Sequence, residues 1–407
     1  MNRFIIVALM LTAVLNLNAQ SSQVGFVRTH FATLVGEDAE YAVLENTLEW
    51  KLGYKKGNTA FSVSSALTHD GLSDELDISL RQAWFDIYFD NVDIRLGRQQ
   101  IIWGKADGAF ITDVISPRDL SEFILPDFEE IRIAVTAAKL NWYLGNSTLE
   151  AVWIPAFQAT ILPDSSSIWA PSLPDFPMPA TFDYSKATVN DKPANSEAAL
   201  KFSYMGSSMD FEIMAAYLWD DNPTMHLYPQ ADNTLKAVPQ HHRLPLAGTS
   251  LGKPVGGAVV RSESAYYFGK KFASEDLAAN GICERDFVHY LVGYDHNWFE
   301  INVSFQFIQE YILDYDESIR NDEFTSTATF LASKTFLRET LELSLFSYYG
   351  VNEQDALLRP KFSYDIADGF NFLLGANIFI GDEGRFGQYN ANDMVYLKIR
   401  YDFRVSN

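Results

Sequence analysis

The sequence predicts an all-β chain that forms a single transmembrane antiparallel β-barrel of about 18 strands. Three observations carry that prediction. Polar and apolar residues alternate with period two in segments of ~9–14 residues along the whole chain. Tight turns and long loops alternate between those segments. The first 19 residues have the layout of an export signal.

In that signal, Arg3 gives the positive end and Phe4 to Leu15 is apolar except for Thr12. Leu17-Asn18-Ala19 offers a cleavage site before Gln20. Residues 1–19 are therefore read as a signal peptide and 20–407 as the barrel. The apolar run is too short to span a bilayer comfortably, and no later stretch approaches the roughly 18 apolar residues of a membrane helix. Cys283 is the only cysteine, so no lipid anchor follows the signal and no internal disulfide can form. Aromatic residues reach 14% while charged residues still supply 21%, a mixture suited to strands that face lipid on one side and water on the other. A net charge of −22 disfavours nucleic acid or anionic polymers as partners. It equally suits solubility and a cation-bridged lipopolysaccharide surface.

The strands follow in order. A first, weak one is expected at 24–34. Segment 42–54 puts Leu44, Leu48, Trp50, Leu52 and Tyr54 on one face, with Glu45, Thr47, Glu49 and Lys51 opposite. Lys55-Lys56-Gly57-Asn58 turns the chain into a row carrying Phe61, Val63 and Leu67. Asp90-Asn91 joins 76–89 to 92–103, and Gly145-Asn146, Gly206-Ser207-Ser208, His296-Asn297 and Ala367-Asp368-Gly369 mark further hairpins. Longer loops are read at 68–75, 104–130, 157–196, 220–234, 269–285, 314–323, 351–356 and 381–392. Turns on one rim and loops on the other are the asymmetry of an outer-membrane barrel. Keeping that alternation requires a strand at about 235–249, paired with 256–268 through Gly252-Lys253-Pro254-Val255. The total is then 18, with both ends on the periplasmic side; without the two weakest strands it is 16, and Pro239 and Pro245 fit a strand poorly. The last strand contains Leu397, Ile399, Tyr401 and Phe403 on its lipid face and Lys398, Arg400 and Asp402 on its wet face. Trp50, Trp84, Trp103, Trp142, Trp153, Trp219 and Trp298 lie in or beside strands and are read as aromatic girdles.

From Gly97-Arg98-Gln99 through Trp103-Gly104, Ala106-Asp107-Gly108, Ser116-Pro117-Arg118-Asp119 and Leu125-Pro126-Asp127-Phe128, the chain resembles a family of Gram-negative outer-membrane barrels grouped as DUF1302. Trp153-Ile154-Pro155-Ala156-Phe157, Asp220-Asp221-Asn222-Pro223-Thr224, Arg261-Ser262-Glu263, Val292-Gly293-Tyr294-Asp295, Gly381-Asp382-Glu383 and Phe386-Gly387-Gln388 continue the resemblance. It implies a large single barrel in the outer membrane, akin to alginate-export-type porins and working beside a periplasmic carrier or export pump. It does not imply a substrate. Four residues, Arg404 to Asn407, follow the terminal aromatic, where such barrels usually stop.

Function is expected at loop 104–130. It holds Asp107, Asp113, Asp119, Glu122, Asp127, Glu129 and Glu130 against Lys105 and Arg118. Phe110, Ile111, Val114, Ile115, Leu120, Phe123, Ile124 and Leu125 give it an apolar content that an exposed loop does not need. The loop is therefore expected to fold into the barrel as a constriction; the competing reading is a cap that only braces the rim. The proline-dense loop 157–196 is a candidate second lid. Candidate lumen residues are Arg95, Arg98, Trp103, Lys105, Asp107, Asp113, Arg261, Glu263, Arg359, Lys361, Lys398 and Arg400, with cross-strand pairing of opposite charges expected. No catalytic residues, metal site or cofactor are assigned. Gly-x-Ser-x-Gly is absent, and His241-His242 should point to opposite faces of a strand. The expected function is a channel or an import or export conduit; the alternative is a non-conducting barrel serving as anchor, receptor or lipid-contact platform. Expected partners are outer-membrane lipid and lipopolysaccharide, and the barrel-assembly machinery.

Overall fold

The computed structural model describes residues 21–36, 39–172 and 176–406. The signal segment 1–19 lies outside them. Among the described residues, eighteen strands close a single antiparallel barrel. Its first half comprises β1 (Ser21–Leu34), β2 (Tyr41–Lys56), β3 (Thr59–Asp70), β4 (Glu75–Tyr88), β5 (Val92–Gln99), β6 (Val135–Leu144) and β7 (Ser147–Ile154). A short β8 (Ala180–Phe182) leaves the wall before β9 (Glu197–Met205) and β10 (Asp210–Trp219) resume it. Outside the wall again, β11 (Thr224–Pro229) and β12 (Leu235–Gln240) join β8 in a three-stranded sheet. The wall continues with β13 (Arg243–Val255), β14 (Ala258–Ala273), β15 (Ile282–Trp298), β16 (Ile301–Ile312) and β17 (Phe324–Phe336). It ends with β18 (Leu341–Gly350), β19 (Asp355–Ala367), β20 (Phe370–Ile380) and β21 (Met394–Ser406). Pairing of β21 with β1, from Leu34 opposite Met394 to Ser22 opposite Ser406, closes the barrel and removes its edges.

Alternation decides what faces lipid. In β1, Val27 and Phe31 are exposed on the outside, while Phe26 and Arg28 are buried within. In β21, Val395 and Tyr401 are exposed whereas Lys398 lines the lumen, so the sequence pattern there reads correctly. Turning such a charge toward lipid at mid-bilayer would cost ~2–4 kcal/mol. A bulge in β4, opposite Ser64 and Ser65, breaks the alternation. It lets both Arg81 and Gln82 reach the interior cavities.

The tight turns, at Gly57-Asn58, Asp90-Asn91, Gly145-Asn146 and Asp368-Gly369 among others, share one rim with both ends of the barrel sheet. Several boundaries differ from expectation: β5 ends at Gln99 instead of 103, which leaves Trp103 in the loop, and β14 runs to Ala273 instead of 268. The wall strand near residue 245 is Arg243–Val255, not 235–249; its hairpin turns at Gly256-Gly257, whose φ values of 57° and 89° suit glycine. Leu235 and Ala237, fully buried, instead pack the external sheet against Leu227. The β15–β16 turn lies at Phe299-Glu300 rather than His296-Asn297, because strand pairing continues through Trp298 opposite Ile301. The tryptophans divide. Trp142, Trp153 and Trp298 are exposed on the outer face, but Trp84 lies under Arg95 and Trp103 is buried in the interior. Polar partners inside the barrel account for that: the Arg95 guanidinium lies 3.7 Å over the Trp84 ring, and the Trp103 indole donates to Glu150 at 2.5 Å.

Candidate functional site: a loop folded across the lumen

Between β5 and β6 the chain leaves the wall at residues 100–134 and folds into the barrel. Ile111, Ile115 and Ile131 are buried, as are Ile124 and Leu125. Each such side chain contributes about 1.5–3 kcal/mol toward docking. Ile111 meets Leu291 and Ile308 of β15 and β16. At the other end of the loop, Phe123 sits among Trp169, Phe379, Phe386 and Tyr389, its ring 4.8 Å from that of Tyr389. Phe123 holds a φ of 57°, unfavourable for a bulky residue, and this aromatic enclosure offsets the cost. Trp169 belongs to the proline-dense loop, so that loop does reach over the constriction: Tyr389 donates to the Trp169 carbonyl at 3.1 Å, and Asn392 to that of Ile168 at 2.7 Å.

Polar tethers fix the loop from several sides of the wall. On β14, the buried Glu263 carboxylate accepts from the Lys105 backbone N–H (2.5 Å) and the Thr112 hydroxyl (2.7 Å). Two residues away, Arg261 donates to the Lys105 carbonyl at 2.7 Å and pairs with Asp107 at 2.6 Å and with Asp295. Tyr348 of β18 donates to the Gly108 carbonyl at 2.9 Å. Gly108, at a φ of 79°, lies so close to the Phe346 ring that a Cβ would collide with it. Arg359 of β19, buried, donates to the carbonyls of Ile124 and Leu125 and to Asn377. The Lys105 ammonium reaches Glu212 of β10 at 3.3 Å. Within the loop, Asp113 accepts from the Trp103 N–H at 3.2 Å and from Arg132 at 2.6 Å. The loop leaves through a single helical turn, α1 (Phe128–Ile131). There Arg28 of β1 pairs with Glu130 and Glu45, and Arg81 of β4 donates to the Glu130 carbonyl at 3.1 Å.

The remaining candidates separate. Arg95 grips Asp86 at 2.7 and 2.9 Å, a local cross-strand pair, and Arg400 pairs with Asp402 of its own strand. Arg98, expected in the lumen, instead falls on the outward row of β5 with the exposed Leu96, because alternation there turns Arg95 and Gln99 inward, and it donates to the Leu80 carbonyl. Lys361 stands 3.7 Å from Asp127. Lys398 forms no ion pair among the described residues and lines an interior cavity. Sequence reasoning omitted Arg28 and Arg81, and read Glu130 as a loop acid without a wall partner. The inward row of 42–54 already held Glu45, but Arg81 enters the lumen only through the bulge.

That cavity, about 270 Å³, lies between the loop and β1–β4. Glu45, Glu49, Asp77, Asp119, Glu122 and Glu130 line it, against Arg28, Arg81 and Lys398. Burial and the nearby Glu45 push the Glu122 carboxyl up to about 7, against the opposing pull of Lys398 and Arg28. Burial also raises Asp127, but Lys398, Lys361 and Arg359 outweigh it and hold that carboxyl below its usual range. A family model described as a protein of unknown function (DUF1302) matches residues 38–403.

The chain belongs to the DUF1302 family. No curated protein matches this DUF1302 chain in sequence. Solved structures share its fold. OccK8 (OprE) of Pseudomonas aeruginosa is 9% identical with a TM-score of 0.56, over 95% of this chain and 98% of that one. OccAB3 of Acinetobacter baumannii is 10% identical with a TM-score of 0.55, over 95% and 99%. OccK2 (OpdF) of P. aeruginosa, 10% identical, has a TM-score of 0.57 over 96% and 99%, and a second OccK2 structure holds glucuronate. The DUF1302 chain thus has the closed-barrel fold of these proteins at very low identity.

Proposed function

We propose that this protein is a channel of the outer membrane, narrowed by its inward-folded loop, through which small solutes cross. The location is supported by the apolar outer face of the barrel and by the export-signal layout of residues 1–19. One observation carries the channel reading: the loop is tethered inside the lumen, yet open space with a charged lining persists beside it. A barrel acting only as an anchor or receptor has no need of such a lining. Contacts with lipopolysaccharide, with assembly machinery and with a periplasmic carrier or pump belong to the same proposal. Glucuronate, held by OccK2, is an acid. Here the cavity has more carboxylates than cations, which favours cations over such acids.

Purified protein in a planar bilayer tests this reading. Discrete conductance steps are expected, with a cation preference that fades as ionic strength rises. Deleting residues 108–125 should raise conductance several-fold and reduce that preference while the barrel still assembles. No current from a protein whose circular dichroism shows an intact barrel would reject the channel. Unchanged conductance in the assembled deletion would reduce the loop to an outer cap.

A further inference from the structure

We infer that the conducting path runs off-centre, between the loop and the β1–β4 wall, and that the space on the loop's other side is a blind vestibule. The inference rests on the channel reading and adds to it the route and the solute class.

Two cavities stack along the β1–β4 wall. The upper one is the 270 Å³ space lined by Glu45, Asp77, Glu122 and Lys398. Below it, toward the rim that carries the tight turns, a cavity of about 470 Å³ is lined by Val24, Lys51, Gln82, Arg400 and Arg404. The two share Phe26, Glu49, Arg81 and Glu130 as lining. The same four side chains bound both cavities, and on the inferred route they form the neck between them. Its loop-side member, Glu130, is held by Arg28 through its carboxylate and by Arg81 through its carbonyl.

Across the loop, a cavity of about 310 Å³ is lined by Tyr267, Lys270, His289, Glu310, Thr327 and Arg385, near the long-loop ends of β14–β17. It shares no lining residue with the lower cavity. Beneath it lie Ile111 (0% exposed), Thr112 (0%), Leu291 (1%) and Glu263 (2%). That floor is close-packed and hydrogen-bonded, with no space for a hydrated solute. The acid excess is largest in the upper cavity of the open side, with six carboxylates against three permanent cations; the lower cavity is balanced at four each and the vestibule holds four carboxylates against three. Small solutes bearing positive charge are therefore the class that enters the upper cavity most readily.

Single cysteines in a Cys283→Ser parent test the route. Ser79→Cys places a thiol on the upper cavity of the open side, and Thr327→Cys places one in the vestibule. Each variant is treated with a cationic methanethiosulfonate, its modification is confirmed by intact mass, and its current is recorded in planar bilayers. Modified Ser79→Cys should lose most of its current and part of its cation preference. Modified Thr327→Cys should conduct as before. Block at Thr327→Cys alone, or equal block at both positions, overturns the off-centre path while leaving the channel standing. A parent that carries no current overturns the channel reading, and the inference falls with it.

Discussion

The two sides of the inward loop use the same residue types for different ends. On the β14 side, charge is consumed in holding the loop: Glu263 accepts from Lys105 and Thr112, and Arg261 is shared among Lys105, Asp107 and Asp295. On the β1–β4 side Arg28 and Arg81 also hold the loop, at Glu130, but Lys398 has no ion-pair partner among the described residues and the Glu122 carboxylate is influenced by its neighbours without accepting a hydrogen bond from them. A buried carboxylate whose bonds are all satisfied rigidifies structure; one left facing water in a confined space acts on whatever solute passes. Position in the barrel, not residue type, separates the two roles.

The largest effect should come from breaking the tethered side. Glu263→Ala would leave the buried Thr112 hydroxyl without its acceptor, at about 1–3 kcal/mol, and would release the part-buried Lys105 N–H as well. Limited proteolysis should then nick the loop roughly tenfold to a hundredfold faster than in the unaltered protein, with noisier single-channel current. The matched change on the other side, Glu122→Ala, should leave the nicking rate unaltered. Equal rates in the two variants would erase the contrast.

A smaller effect concerns pH. The Glu122 carboxyl titrates at about 7, raised from its usual range chiefly by burial and then by Glu45. Its charge is present above that pH and lost below it, so cation preference should decline as pH falls from ~8 to ~6. The stability sign is opposite. With its pKa raised in the folded state, ionisation of Glu122 opposes folding, so its contribution is most favourable at acid pH and is lost as pH rises toward and past 7. Glu122→Gln should flatten the selectivity profile over that window. A profile unchanged by the substitution would assign the titration to another group.

The smallest effect is local. Spin labels at Leu397, Ile399 and Tyr401 should be accessible to lipid-soluble oxygen, and labels at Lys398 and Arg400 to a water-soluble relaxant. A label at Lys398 found in the lipid set would invert β21 and remove Lys398 from the open side.

Much of the architecture was legible in the residues because its causes are local. Alternation with period two assigns Lys398 to water and Tyr401 to lipid without reference to any other strand, and turn spacing forces an even strand count. Local reasoning misplaced the strand near 245 because turn parity asked for a strand there without marking its ends; only contact with Leu227 shows that Leu235 and Ala237 serve a separate sheet. The apolar content of residues 110–125 foretold that the loop would be buried. It could not foretell against what. Glu263 meets Thr112 from 151 positions away, and Arg359 meets Ile124 from 235. Contacts of that range depend on how a closed barrel brings opposite walls together around a chain crossing its interior. Sequence pattern thus determined which side chains face inward, whereas tertiary structure alone decided which inward charges are bound to the loop and which remain free beside it.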